Sequence, residues 1–151
     1  MIDDIYNFRP VDECLSTSGQ PTEAQLAAAA KDGFEVVINL ALHDDPRYSL
    51  ADEAGTVQSL DMEYVHIPVR FDAPAETDLL QFIKAMKRHE GKKVLVHCAA
   101  NMRVTAFLGL YRVIEQGWST EQAFALMDSL WEPNPVWSVF IANMLEKHPE
   151  A

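Results

Sequence analysis

The stretch Val94-Leu95-Val96-His97-Cys98-Ala99-Ala100-Asn101-Met102-Arg103-Val104-Thr105 decides the fold. Val94-Leu95-Val96, with Lys93 before it, is apolar without alternation, which suits a strand buried on both faces of a parallel sheet. From Arg103 onward Phe107, Leu108, Leu110, Tyr111 and Ile114 recur as a wide apolar helix face, and Gly117 ends it. A strand, a tight loop and a helix start therefore meet at Cys98. In open α/β sheets, ligands bind beyond the carboxyl ends of strands, and the amides of a helix N-terminus favour negative charge.

Similar units lie upstream. Thr22 with Gln25 makes the reciprocal cap of a helix start, followed by an alanine-rich run ending at Gly33. Glu35 to Leu40 reads as a second buried strand, and Tyr64 to Val69 as the next strand. Between them Ser49 and Asp52 are caps for a helix through about Leu60. Thr77 can cap a helix carrying Leu79, Phe82, Ile83 and Met86, closed by Gly91. Downstream, Ser119 with Gln122 opens one helix, and Asn134 with Pro135 opens a last one carrying Phe140, Ile141, Met144 and Leu145. At the start, Ile5 to Arg9 fits a short edge element, and Ser16 to Pro21 reads as a turn-rich break. Helix and strand alternate with short connections, which predicts an α/β fold: a central, mostly parallel sheet of about four to five strands flanked by helices.

The 151 residues are enough for one domain, 1–151, with a core that needs neither disulfide nor structural metal. Cys14 and Cys98 are far apart in unlike contexts, so both are expected as free thiols. With 23 acidic against 12 basic residues the net charge is -11, which opposes binding to nucleic acid or anionic membranes. No apolar run approaches the roughly 20 residues of a membrane span, and the start lacks a basic region followed by an apolar one. A cytoplasmic location is the expectation, subject to an export signal having been removed before Met1.

The loop residues suit nucleophilic chemistry on an anion. At the helix N-terminus Cys98 is favoured as thiolate, a plausible nucleophile. Arg103 offers a planar, permanently charged fork for a tetrahedral oxyanion. A cation in a first helical turn opposes the helix dipole, which itself favours an anionic partner over a merely solvated arginine. Asn101 tolerates the left-handed backbone that an inward-turned loop requires. A small buried core residue is the alternative for Cys98.

His97-Cys98-Ala99-Ala100-Asn101-Met102-Arg103 after a Val-Leu-Val strand resembles the signature loop of cysteine-dependent protein tyrosine and dual-specificity phosphatases. Ser18-Gly19-Gln20-Pro21-Thr22 and the strands at 36–40 and 64–69 are similar to a bacterial branch of phosphatase-like proteins of uncharacterised function, over roughly residues 5 to 145. The resemblance implies hydrolysis of phosphate monoesters through a phosphocysteine, on a phosphorylated small molecule or phosphoprotein, with no cofactor and no metal. Cys98 would attack phosphorus, Arg103 bind its equatorial oxygens, and the segment Ala99, Ala100, Asn101, Met102 and Arg103 cradle the phosphate. An aspartate from a separate loop would protonate the leaving oxygen; Asp72, 26 residues before Cys98, takes that part in preference to Asp78, which falls in a helical first turn.

This loop departs from the family pattern. Four residues, not five, separate Cys98 from Arg103, while Thr105 keeps the place of the family's Ser or Thr. Either the loop is one residue tighter with Arg103 turned inward, or Val104 takes the arginine's place and Arg103 points elsewhere. A Cys, four residues and a closing residue also resemble the sulfur-transferring loop of rhodanese domains, where Cys98 would carry a persulfide. An inactive anion-binding or partner-binding module is a third reading.

The remaining candidates each have a plain alternative. Thr105 stabilises a departing thiolate or bonds back to a helix carbonyl. His97 holds the loop by hydrogen bonds or is a core histidine, and His66 is structural. Asp44, Asp45, Asp52 and Glu53 read as a solvated acidic loop rather than a hard-cation site. Trp131, Asn134, Pro135 and Trp137 pack in the core or wall a cleft. Arg9 reaches an anionic ligand only if the first strand lies beside the loop.

Overall fold

The computed structural model describes residues 2–43 and 49–148. Among the described residues the strands are β1 (Arg9–Pro10), β2 (Leu15–Ser18), β3 (Val36–Asn39), β4 (Glu63–His66) and β5 (Val94–His97), which form one five-stranded sheet in the order β1-β2-β5-β3-β4. All neighbours are parallel except β1, which runs antiparallel to β2 and carries Pro10 at the sheet edge, where a missing N–H is tolerated. The α/β architecture with a five-stranded, mostly parallel sheet is the expected one.

Among the described residues seven α-helices flank it: α1 (Glu23–Lys31), α2 (Glu53–Ser59), α3 (Glu76–Arg88), α4 (Met102–Ile114), α5 (Thr120–Ala123), α6 (Ala125–Leu130) and α7 (Pro135–Lys147). Side chains of successive strand residues point to opposite faces, so the continuous apolar strands supply two cores. Val36, Ile38, Val94 and Val96 pack with Leu79 and Phe82 of α3, Phe107 and Leu110 of α4, and Trp137 and Phe140 of α7. Val37 and Leu95 face the other way, onto Leu26 and Ala29 of α1 and Val57 of α2. That is why β3 and β5 show no hydrophobic alternation.

The caps follow local chemistry. Thr22 and Gln25 form the reciprocal box, Asp52 caps α2, Ser119 caps α5, and Asn134 with Pro135 opens α7. Three expectations are corrected. The segment read as a turn-rich break contains β2, whose Ser16, Thr17 and Ser18 are buried between β1 and β5; sheet pairing overrides the turn preference of these residues. The opening edge strand is only Arg9–Pro10, because Ile5 to Asn7 turns and Asn7 has φ 50. Helix α3 begins at Glu76 with Ala75 at its cap, so Thr77 lies within its first turn.

The carboxyl ends of the parallel strands place Ser18, His97, Asn39 and His66 in register, a polar row along one edge of the sheet. Cys98 follows directly from this row. The two cysteines are free, Cys14 exposed and Cys98 buried. No helix among the described residues is long and apolar enough to cross a membrane.

Candidate active site

Beyond β5 a cavity of about 180 Å³ is lined by Phe71, Cys98, Ala99, Ala100, Met102 and Arg103. The chain enters α4 through Asn101, which has φ 68 and ψ 9. An asparagine tolerates this left-handed conformation. The Asn101 amide is fully buried and points away from the cavity, donating to the Asn7 carbonyl at 2.9 Å and Thr17 Oγ1 at 2.9 Å. Asn101 therefore shapes the loop, while Ala99, Ala100 and Met102 line it. Gly19 makes the close approach possible: a Cβ there would lie 2.6 Å from the Ala99 carbonyl oxygen.

The carbonyls of the loop are held from outside. His97 Nδ1 reaches the Cys98 oxygen at 3.3 Å, the Gln20 amide donates to Ala99 at 3.0 Å, and Asn7 Nδ2 donates to Ala100 at 3.0 Å. Thr105 Oγ1 donates to Asn101 at 2.9 Å and Met102 at 3.0 Å. In a trans peptide the carbonyl and the following N–H point opposite ways. Carbonyls held in this way at Cys98, Ala99, Asn101 and Met102 thus turn the amides of Ala99, Ala100, Met102 and Arg103 away from those donors.

Arg103 is 9% exposed and lines the same cavity as Cys98, with Nη1 donating to the Val69 carbonyl at 2.8 Å. One of its five N–H groups is thereby used to hold the fork, its one hydrogen bond among the described residues. Val104 faces the core and is fully buried.

Asp72 lies in the segment between β4 and α3, next to Phe71. It is bound by Arg70, with Nε to Oδ1 at 3.1 Å and Nη2 to Oδ2 at 2.9 Å, both side chains being mostly exposed. The hydrogen bonds from Arg70 hold the Asp72 carboxyl below its usual value. Asp78, in the first turn of α3, is shifted the other way by burial. The segment itself is anchored: Trp137 Nε1 donates to the Phe71 carbonyl at 2.7 Å, and the Phe71 ring packs on Trp131 and Trp137, each at 5.9 Å between centroids. Trp137 is fully buried in the core, and Trp131 Nε1 donates to Thr105 Oγ1 at 3.0 Å. Thr105 thus spends its hydroxyl on helix carbonyls and a tryptophan. Arg9, on the edge strand, donates to the Phe8 carbonyl, and His66 bonds the Ala41 carbonyl.

The acidic-loop reading fails at Glu53. This residue is fully buried, with Oε2 2.6 Å from His97 Nε2 and Oε1 accepting from Gln20 Nε2 at 2.8 Å. Burial raises its pKa, but the hydrogen bond and charge of His97, the Gln20 bond and the charge of His43 outweigh it and leave the carboxyl below its usual value. Nearby, Asn39 Nδ2 donates to the Tyr64 hydroxyl at 3.0 Å, and burial together with the Glu53 charge pushes the Tyr64 pKa up. A signal did exist: Glu53 is four residues before Val57, so both share the buried face of α2. Asp44 and Asp45 lie outside the described residues.

With this geometry in place, the comparisons with known proteins are specific. The family model for the DSP-PTPase phosphatase fused to NAD+ kinase matches residues 4–134. A candidate phosphatase (DUF442) from Shewanella putrefaciens CN-32, solved by crystallography, is 32% identical, with a TM-score of 0.85 over 97% of this chain and 96% of that one. Tk-PTP in its active form shares the fold at 22% identity, with a TM-score of 0.78 over 93% of this chain and 97% of that one. TpbA of P. aeruginosa, solved as a Cys-to-Ser variant in complex with pTyr, shares it at 16% identity, with a TM-score of 0.70 over 96% and 91%. No curated protein matches. The strand, loop and helix around Cys98 and the match across most of the sequence lead to one conclusion: the chain belongs to the DSP-PTPase phosphatase family and is a cysteine-dependent phosphatase of the protein tyrosine and dual-specificity type, a phosphoric monoester hydrolase.

Proposed function

We propose that residues 1–151 act as one domain that hydrolyses phosphate monoesters at Cys98, with Arg103 as oxyanion clamp and Asp72 as general acid. The observation that carries this reading is that Cys98 and Arg103 line one cavity at the start of α4. The Cys98 thiolate attacks phosphorus and the bond to the leaving oxygen breaks, that oxygen taking a proton from Asp72. Water then attacks the phosphocysteine, releasing phosphate and restoring the thiolate. The Arg103 side chain and the loop amides of Ala99, Ala100, Met102 and Arg103 stabilise the charge that builds on the phosphoryl oxygens, so the chemistry needs no metal.

Thr105 and His97 act on the loop from outside, through the carbonyls they hold. For Asp72 to deliver a proton it must first leave Arg70, whose hydrogen bonds favour its ionised form. The substrate is a phosphorylated small molecule or phosphoprotein, a class that fits the pTyr bound by TpbA. A net charge of -11 leaves capture of such anions to the loop itself, away from nucleic acid and membrane surfaces, in the cytoplasm.

The test is single-turnover release of phenol from an activated aryl phosphate under reducing conditions. Wild type is expected to release it, Cys98→Ser to release none, and Arg103→Ala to be slower by about 10²–10³-fold. Folded, reduced wild type that releases nothing would overturn the proposal; thiosulfate-to-cyanide transfer would then assign the loop to sulfur chemistry.

A further inference from the structure

We propose that Glu53 is a positioning residue for the Cys98 loop, its buried carboxylate holding His97 as an imidazolium whose second N–H is aimed at the loop. The inference rests on Cys98 being the nucleophile. It starts from a chain of contacts that joins the first residue of α2, the segment before α1 and the end of β5. Glu53 Oε2 meets His97 Nε2 at 2.6 Å, and His97 Nδ1 meets the Cys98 carbonyl at 3.3 Å. Glu53 Oε1 accepts from Gln20 Nε2 at 2.8 Å, and the Gln20 backbone amide donates to the Ala99 carbonyl at 3.0 Å. One carboxylate is thus the common root of two arms that end on successive loop carbonyls.

The protonation state follows from this arrangement. With Glu53 ionised, as its bonds to His97 and Gln20 favour, both ring nitrogens of His97 face acceptors. A neutral imidazole has one N–H and serves one of them, whereas the imidazolium serves both. A fully buried imidazolium needs a counter-charge. Glu53 is that charge, and both side chains are completely buried. The other groups facing the carboxylate do not replace it: Gln20 is neutral, Tyr64 is kept as the phenol by burial and by Glu53, and His43 is exposed. The pair is a dipole whose positive end is nearer to Cys98.

Glu53→Gln separates charge from shape. The amide can accept from Gln20 and donate to His97 Nε2, leaving the Nδ1–H on the Cys98 carbonyl, so the contacts persist while the imidazolium is lost. In the wild type, nitrogen NMR of His97 at pH 7 is expected to show protons on both ring nitrogens. In Glu53→Gln it is expected to show Nδ1–H alone, with iodoacetamide alkylation of Cys98 at pH 6 slower by about fivefold, since the carboxylate partly cancels the imidazolium's effect. A single-proton His97 in the wild type would overturn the proposal, whether or not the variant folds. An unchanged alkylation rate in folded Glu53→Gln would also overturn it. Neither readout involves phosphate-ester turnover, so failure of the phosphatase assay and failure of this inference are separate results.

Discussion

The side chain of Arg103 is held by a backbone carbonyl rather than by a carboxylate: it donates to Val69 at 2.8 Å and keeps its charge unneutralised by any neighbouring acid among the described residues. That arrangement suits an arginine whose counter-ion is the substrate. Asp72 is in the opposite situation, since Arg70 already satisfies it. If Asp72 is the acid, Asp72→Asn should lower the rate on a phenyl phosphate by about 10²–10⁴-fold and hardly affect an activated aryl phosphate, whose leaving group needs no proton. Arg70→Ala removes the bonds that lower the Asp72 carboxyl, so the acid form persists to higher pH and the basic limb of kcat moves upward. Asp78→Asn is the comparison: a leaving-group-dependent loss there, and none at Asp72, would transfer the role to the carboxyl that burial raises.

At the scale of elements, α4 carries most of the design. Its N-terminus presents the loop, and its body is buried along nearly its whole length. Gly109 is where it admits its neighbour: a Cβ there would come within 2.3 Å of the Phe124 ring. Gly109→Ala should therefore cost about 1–3 kcal/mol from overpacking, exceeding the helix-propensity gain of alanine, and lower the melting temperature. An increase in melting temperature would show that α5 and α6 move aside freely. The site segment around Phe71 depends on a second element, since α7 supplies the Trp137 N–H that holds its carbonyl. The aromatic segment at 131–137 thus serves core and cavity at once, Trp137 as core and Phe71 as the surface it supports.

For the whole molecule, the buried pair between α2 and β5 links stability to pH. The Glu53 carboxyl lies below its ordinary value of 4.5 in the folded protein, so its stabilisation is complete above that value and is lost as pH falls through the lower, folded one. Wild type should lose melting temperature between pH 5 and pH 3. Glu53→Gln, which lacks this titration, should follow a flatter curve over the same range. Equal slopes would show that the pair is not linked to folding.

Local sequence determined much of this protein. Periodicity and caps marked α1, α4 and α7, because a Thr22–Gln25 box or an Asn134–Pro135 start is satisfied within a few residues. The unbroken apolar runs of β3 and β5 declared a sheet covered on both faces, and the residues from His97 to Arg103 marked the strand-loop-helix on which the proposed site rests. Tertiary structure decided the rest. Ser16, Thr17 and Ser18 became a strand because β5 and β1 supplied hydrogen-bond partners that no local pattern encodes. Glu53 became a buried partner of His97 because α2 docks on the sheet, bringing together residues 44 positions apart. Arg103 turned inward because a carbonyl at Val69 was there to hold it. Short-range energetics can be read along the chain; the burial of a charge depends on which distant groups arrive to compensate it.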